Sequence, residues 1–221
     1  ANQGTNATMM TSAAMVFVID DDQSMRKSLK RLLDTAHYNT ELFESASEFL
    51  SRSAHSGPSC VIVDVRMPGL NGIDLQRALI ERDREEQLVF ITGHGNVPMC
   101  AEVMKAGAVD FLPKPFKPKQ LLGSVERALT RSAKQRYRAS EKNHARGLID
   151  RLTPREFQVM QLVATGMLNK QVGAELGMAE KTVKTHRAHV MQKLGITSVA
   201  ELMGVLQKAE VPPVERPGTK V

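Results

Sequence analysis

The sequence predicts two domains of different class: an α/β domain on a parallel sheet with helices on both faces, then a smaller all-α domain. Three observations carry this. Through the first 130 residues, short apolar runs alternate five times with stretches of helical spacing, the signature of strand–helix units sharing one sheet. Those runs lead into polar residues, namely Asp20 to Asp22, Asp64, Thr92 and Lys114. Past about residue 150 the strand-like runs stop, and short amphipathic segments punctuated by glycines replace them.

Val16 to Ile19 is the first apolar run, and Met25, Leu29, Leu32, Leu33 and Ala36 follow at helical spacing. Asn39 to Phe43 reads as a weaker strand, and Ser45 with Glu48 as a capping box ahead of Phe49 and Leu50. Cys60, Val61, Ile62 and Val63 run straight into Asp64. A continuous, mostly β-branched run of this kind belongs to a strand buried on both faces. It delivers its last residue to the carboxyl edge of the sheet, where ligand sites of open α/β folds gather. After a loop from Pro68 to Gly72, Ile73, Leu75, Ala78 and Leu79 mark a helix. Leu88 to Thr92 is the fourth strand, Gly93 to Asn96 a flexible loop, and Val97 to Ala106 a helix stopped by Gly107. Val109 to Leu112 is the fifth strand, broken at Pro113 and Pro115, and a helix from about Pro118 carries Leu121, Leu122, Val125 and Leu129. Strand–helix–strand connections are right-handed, so all strand ends face one edge, and Asp20, Asp21, Asp64, Thr92 and Lys114 are expected there together.

Charge says what such a set can do. Three crowded carboxylates need a cation, and an oxygen-only group suits Mg²⁺, which shares its open positions with phosphate oxygens. Asp64 at the cleft floor is placed to attack phosphorus and carry an acyl phosphate. The charge on that group would be steadied by Mg²⁺, the Lys114 ammonium and the Thr92 hydroxyl. Singly, an aspartate after a strand is usually a turn residue or a helix cap, and a lysine between prolines a solvated loop. The functional reading rests on the whole set. His94 reads as a loop histidine, with an influence on phosphoryl lifetime as the alternative.

Composition bounds the rest. The 221 residues contain no apolar stretch of the roughly 18 needed to span a membrane. Residues 1–14 lack the features of a signal peptide and are expected outside the fold, as a disordered N-terminus or a cloning remnant. The two cysteines, Cys60 and Cys100, sit in apolar contexts and read as reduced core residues, which points to the cytoplasm. Net charge is +6, but residues 1–130 hold 14 Lys and Arg against 16 Asp and Glu, whereas residues 131–221 hold 16 against 8. A near-neutral front half and a basic back half argue for a controlling domain joined to one that meets a polyanion.

Residues 131–150 are rich in Lys and Arg and read as a helical, basic linker between a domain at 15–130 and one at 151–208. Thr153, Pro154 and Glu156 form a helix start with a capping box, ahead of Phe157, Met160, Val163 and Ala164. Asn169 to Leu176 and Glu180 to Leu194 are two more helices, stopped by Gly177 and Gly195, and Ser198 with Glu201 caps a fourth. Two short helices joined by a tight turn, the second rich in Lys, Arg, Thr and His, describe a helix-turn-helix. Its second helix would place Lys184, Thr185 and Ala188 near base edges, while Lys170, Lys181, Thr182, Arg187 and Lys193 suit phosphates. His186 and His189 are open between packing, phosphate and base contact. Residues 209–221 read as a disordered tail.

Residues 15–130 resemble the receiver domain of two-component response regulators. The resemblance is carried by Val18 to Asp22, Val63 to Gly69, Phe90 to Gly93, and Lys105 to Ala108 running on to Lys114–Pro115–Phe116. Residues 152–207 resemble the LuxR-type four-helix module through Leu152, Thr153, Arg155 and Glu156, then Gly166, Asn169 and Lys170, then Thr182 to Arg187 and Lys193 to Gly195. Together they resemble the FixJ/NarL group, and the run from Ile91 to Met99 leans to its FixJ side. The resemblance implies a flavodoxin-like sheet in order 2-1-3-4-5. It implies Asp64 as phosphoacceptor, Asp21, Asp64 and the Arg66 carbonyl on Mg²⁺ with Asp20 acting largely through water, and Phe111 as an aromatic that turns inward as Thr92 moves. Implied partners are a sensor histidine kinase, double-stranded promoter DNA, a second copy of the chain and RNA polymerase. Pairing of copies would use the helix from Val97 with strand five, and a second surface at residues 199–206. The chain departs from the pattern at Ala179, where Ser or Thr commonly caps the recognition helix.

An enzymatic alternative, an aspartyl-phosphate hydrolase, needs a second acid two positions after the nucleophile; Arg66 stands there, so no enzyme activity is expected beyond the receiver's own phosphoryl chemistry. The remaining alternative is a DNA-binding regulator independent of phosphorylation, whose receiver answers another ligand.

Overall fold

The computed structural model describes residues 13–93, 96–212 and 214. Most of the expected N-terminal remnant, His94, Gly95 of the flexible loop, and residues 213 and 215–221 of the expected tail lie outside the described residues. The chain divides into two compact units, 1–136 and 137–221.

In the first unit, strands and helices alternate: β1 Met15–Ile19, α1 Gln23–Thr35, β2 Asn39–Phe43, α2 Ala46–Ser51, β3 Ser59–Asp64, α3 Gly72–Glu81, β4 Gln87–Thr92, α4 Val97–Lys105, β5 Asp110–Pro113 and the start of α5 Pro118–Ile149. The five strands form one sheet in the order β2-β1-β3-β4-β5, every pairing parallel. Successive side chains of a strand point to opposite faces, and both faces here are apolar. Phe17, Ile19, Val61, Val63 and Phe90 pack against Phe49 of α2, Leu75 and Leu79 of α3 and Val103 of α4. Val16, Val18, Ile62, Val89 and Ile91 pack against Leu29 and Leu33 of α1 and Leu121 and Val125 of α5. Burying each such side chain contributes about 1.5–3 kcal/mol. That double burial is why β3 and β4 read as unbroken apolar runs.

The unit boundary falls inside α5, which continues as helix through most of the expected linker. Its last turns carry Ala145 and Ile149 into the core of the second unit. That unit adds α6 Pro154–Ala164, α7 Asn169–Leu176, α8 Glu180–Leu194 and α9 Val199–Ala209. Val159, Met160, Val163, Val172, Val183, Val190, Leu194, Leu202 and Leu206 form its core. Ala209, Glu210 and Val214, within the expected tail, are tied to the second unit. Ala209 is buried and closes α9, Glu210 pairs with Lys142, and the Val214 N–H donates to Gln161 Oε1 at 3.0 Å.

The capping box at the start of α6 is present: Glu156 N–H donates to Thr153 Oγ1 at 3.3 Å, and Thr153 N–H donates to Glu156 Oε2 at 2.8 Å. Lys193, on α8, donates to the same Oε2 at 2.6 Å. The Lys193 ammonium, joined by the Thr153 N–H, holds the Glu156 carboxyl down at about 2, against an ordinary 4.5. A depressed carboxyl stabilises the fold above its unfolded pKa and loses that contribution as pH falls through the folded one. The second unit should therefore keep its Glu156 contribution above pH 4.5 and shed it progressively towards pH 2. Glu156→Gln should flatten that part of an acid-unfolding curve followed by circular dichroism.

Candidate functional site

At the carboxyl edge of the sheet the expected acidic group is assembled. β1 ends one residue before Asp20, which is 1% exposed, and β3 ends on Asp64, which is 9% exposed. Asp20, Asp21 and Asp64 each offer one oxygen within 4.8 Å of the other two. Asp21 is the exposed member. Asp22, third in the acidic run, instead caps α1, accepting from Ser24 N–H at 2.7 Å.

Lys114, just past β5, reaches both buried carboxylates, donating to Asp64 Oδ2 at 2.6 Å and Asp20 Oδ2 at 2.9 Å. The remaining oxygens are held by backbone: Asp22 N–H donates to Asp20 Oδ1 at 2.9 Å, and Arg66 N–H to Asp64 Oδ1 at 3.1 Å. Burial lifts the Asp20 pKa above its ordinary 3.8, outweighing the downward pull of Lys114. Burial alone would lower the Lys114 pKa, but its hydrogen bonds to Asp64 and Asp20 prevail and raise it. Thr92 ends β4 fully buried, one residue beyond Ile91, the parallel partner of Asp64. Lys114 N–H donates to the Thr92 carbonyl at 2.7 Å, tying the two together. Phe111 on β5 is half-buried and packs against the core face that holds Phe90 and Val103. Arg66 itself is exposed.

The donor set is oxygen-only, crowded and open to solvent on the Asp21 side. These residues fit a hard divalent ion, held by carboxylates and water.

Two residues here escaped the sequence reading. Arg26 of α1 donates to the carbonyls of Asp20 at 2.6 Å and Asp21 at 3.0 Å, fixing the acidic turn. Gly72, at the start of α3, lies so close to the Asp64 carbonyl that a Cβ would stand 2.6 Å from its oxygen. No periodicity reports either contact, since both join segments that the fold alone brings together.

Removing the bridging cation should be costly. Lys114→Met leaves two largely buried carboxylates facing each other, a loss of about 3 kcal/mol at neutral pH. Asp20 already has a raised pKa, so the charged form is what the variant cannot tolerate. The deficit should narrow as pH falls through the folded pKa towards 3.8, and millimolar Mg²⁺ should restore part of it at pH 7. Thermal unfolding at several pH values, with and without Mg²⁺, measures both effects.

In the second unit, α7 and α8 form the helix-turn-helix, with Gly177 in the left-handed conformation at φ +65°. Val183, Val190 and Leu194 are buried. Lys181, Thr182, Lys184, Thr185 and Ala188 are exposed along α8, and Lys170 is exposed on α7. Arg187 is half-buried and donates to Asn169 Oδ1 at 3.2 Å. Lys193 stands apart from this group because its ammonium is engaged by Glu156. Ala179 leaves the start of α8 without a side-chain cap. Ala179→Ser should raise the stability of this unit by about 1 kcal/mol, read as a shift in its urea midpoint.

Both units match known families. Residues 16–126 match the family model described as response regulator receiver domain, and residues 150–206 the model described as bacterial regulatory proteins, luxR family. Nodulation protein W of Bradyrhizobium diazoefficiens is 45% identical over 196 residues, 89% of this chain and 86% of that protein. Response regulator protein TodT of Pseudomonas putida is 38% identical over 200 residues, 90% of this chain and 88% of that protein. Among solved structures, the response regulator StyR superposes with a TM-score of 0.81 at 43% identity, covering 89% of this chain and all of that one. Full-length FixJ from B. japonicum gives a TM-score of 0.53 at 36% identity, over 90% of this chain and 98% of that one.

Proposed function

Since the chain belongs to the response regulators of the FixJ/NarL type, with a receiver domain and a LuxR-type DNA-binding domain, we propose that it is a transcription factor switched by phosphorylation of Asp64. The observation that carries this reading is the contact of Lys114 with both Asp64 and Asp20 at the sheet edge. An Asp64 carboxylate oxygen attacks the phosphorus of a phosphorylated sensor histidine kinase; the O–P bond forms as the P–N bond to the kinase imidazole breaks. When bound by Asp20, Asp21, Asp64 and the Arg66 carbonyl, Mg²⁺ would neutralise the charge gathering on the transferring group. Lys114 is the chain's own counter-charge to that group, already protonated and already beside Asp64. The acyl phosphate carries roughly −1.5 to −2 charges and three strong acceptors. Lys114 and the Thr92 hydroxyl turn towards it, and Phe111 follows into the space that Thr92 leaves.

The altered face at α4 and β5 then favours pairing of two copies, and Val97, 82% exposed at the start of α4, is part of the apolar surface available for it. Two paired α8 helices read half-sites on double-stranded promoter DNA. Lys184, Thr185 and Ala188 face base edges, and Lys170, Lys181, Thr182 and Arg187 the phosphates. RNA polymerase is the partner downstream, and the cytoplasm the compartment. Among the described residues no helix is long and apolar enough to cross a membrane.

The test compares the chain before and after treatment with acetyl phosphate and Mg²⁺, by sedimentation and by binding to its promoter DNA across a salt series. A shift to dimers with tighter binding is expected. Unchanged association and unchanged binding in the phosphorylated sample would favour a regulator answering another ligand.

A further inference from the structure

One cluster is left unused by this function. Glu156 of α6 and His186 and His189 of α8 each place one ligand atom within 4.8 Å of the other two. The two histidines are three residues apart, so they are neighbours on one face of the helix, and Lys193, a turn further on, points at the same carboxylate. The carboxylate is divided. Its Oε2 accepts from Thr153 N–H and Lys193, whereas Oε1 faces His189 Nδ1 at 3.6 Å, too far for a hydrogen bond. Ligands held at 2.0–2.2 Å by a tetrahedral ion stand about 3.3 Å from one another, close to that gap. His186 Nδ1 is cut off from solvent and has no hydrogen-bond partner, which is unfavourable for a buried polar atom. An imidazole with an unpartnered ring nitrogen, a second imidazole and an uncommitted carboxylate oxygen therefore meet with no cation between them.

We propose that Glu156, His186 and His189 form a binding site for a divalent transition ion of the Zn²⁺ class. Two imidazoles and one carboxylate are a set that Zn²⁺, Co²⁺ and Ni²⁺ accept and Mg²⁺ does not, which separates this site from the oxygen-only group of the receiver. A fourth position stays open to water, because His189 is largely exposed. Lys193 opposes the ion. Its ammonium already neutralises Glu156, and two cations cannot share so small a space cheaply. The side chain is about one-third exposed, so it can swing into solvent when the ion arrives. The ion and the ammonium therefore compete for one carboxylate.

The experiment uses the full chain, stripped of metal and held in excess Mg²⁺ to occupy the receiver, titrated with Co²⁺ and then displaced by Zn²⁺. One Co²⁺ per chain should bind with visible ligand-field bands and without the near-ultraviolet thiolate band that either cysteine would produce. His189→Ala, an exposed position, should lose at least tenfold in affinity while circular dichroism stays the same. Lys193→Met should gain affinity, and Zn²⁺ should raise its unfolding temperature more than that of the parent chain. No binding in excess Mg²⁺, thiolate bands, equal affinity in His189→Ala, or weaker binding in Lys193→Met would each overturn the proposal.

Discussion

Asp64→Asn should abolish phosphoryl uptake from acetyl phosphate while leaving the fold intact. Asparagine keeps the size of the side chain and an oxygen that can accept from Arg66 N–H, now at 3.1 Å. It removes the anionic nucleophile and one of the three carboxylates of the cluster. The loss of charge costs little, because Lys114 keeps Asp20 at 2.9 Å. Asp20 also gains, since the nearby Asp64 charge is one of the influences lifting its pKa. The expected change in stability is below about 1 kcal/mol, whereas incorporation should fall to background. Intact-mass measurement after acetyl phosphate treatment, beside a thermal melt, checks both parts. Undiminished incorporation in the variant would move the phosphoryl site elsewhere, and a melted variant would make Asp64 a structural residue first.

Gly173→Ala should unfold the DNA-binding unit at temperatures where the receiver still holds. Gly173 lies inside α7, where glycine costs about 1 kcal/mol relative to alanine by propensity alone, so the naive expectation is stabilisation. The structure reverses the sign. A Cβ at this position would stand 2.6 Å from the Met178 carbonyl oxygen, and the atom in the way is backbone of the turn leading to α8. Met178 N–H also donates to the Gly173 carbonyl at 2.8 Å, so the turn is bonded to the residue it crowds. Relief requires α8 to move off α7, opening the packing of Val172 against Val183 and Val190. A loss of about 3 kcal/mol follows, which for a unit of this size lowers its melting temperature by roughly 10–20 °C. Differential scanning calorimetry should show the transition of the second unit shifted and that of the receiver unchanged.

These two positions differ in how far the sequence exposes them. Asp64 is legible because an apolar β-branched run points at it, and the run is apolar because the strand is buried on both faces. The same local logic finds Asp20, Thr92 and Lys114 at the ends of other strands. The strand order came from family resemblance and not from periodicity, since parallel strands carry no mark of which neighbour they pair with. Gly173 is illegible for a related reason. In one dimension it is a weak helix residue four positions before a good stop signal at Gly177, and only the approach of Met178 gives it a purpose. Lys193 shows the same limit: its charge and place on α8 suit a phosphate, and its actual partner, Glu156, lies 37 residues away.

By itself, then, the amino-acid order determined which segments are strands and helices and which reactive groups reach the sheet edge, but not that α5 runs on to Ile149. Burial with a period of two or of 3.6, capping and right-handed crossover are all properties of neighbouring residues. Tertiary structure alone decided that Arg26 holds the acidic turn, that Gly72 and Gly173 must have no side chain, and that one buried carboxylate gathers Lys193 and two histidines. Each of those depends on a distance between residues remote in the chain, which packing sets and no local pattern encodes.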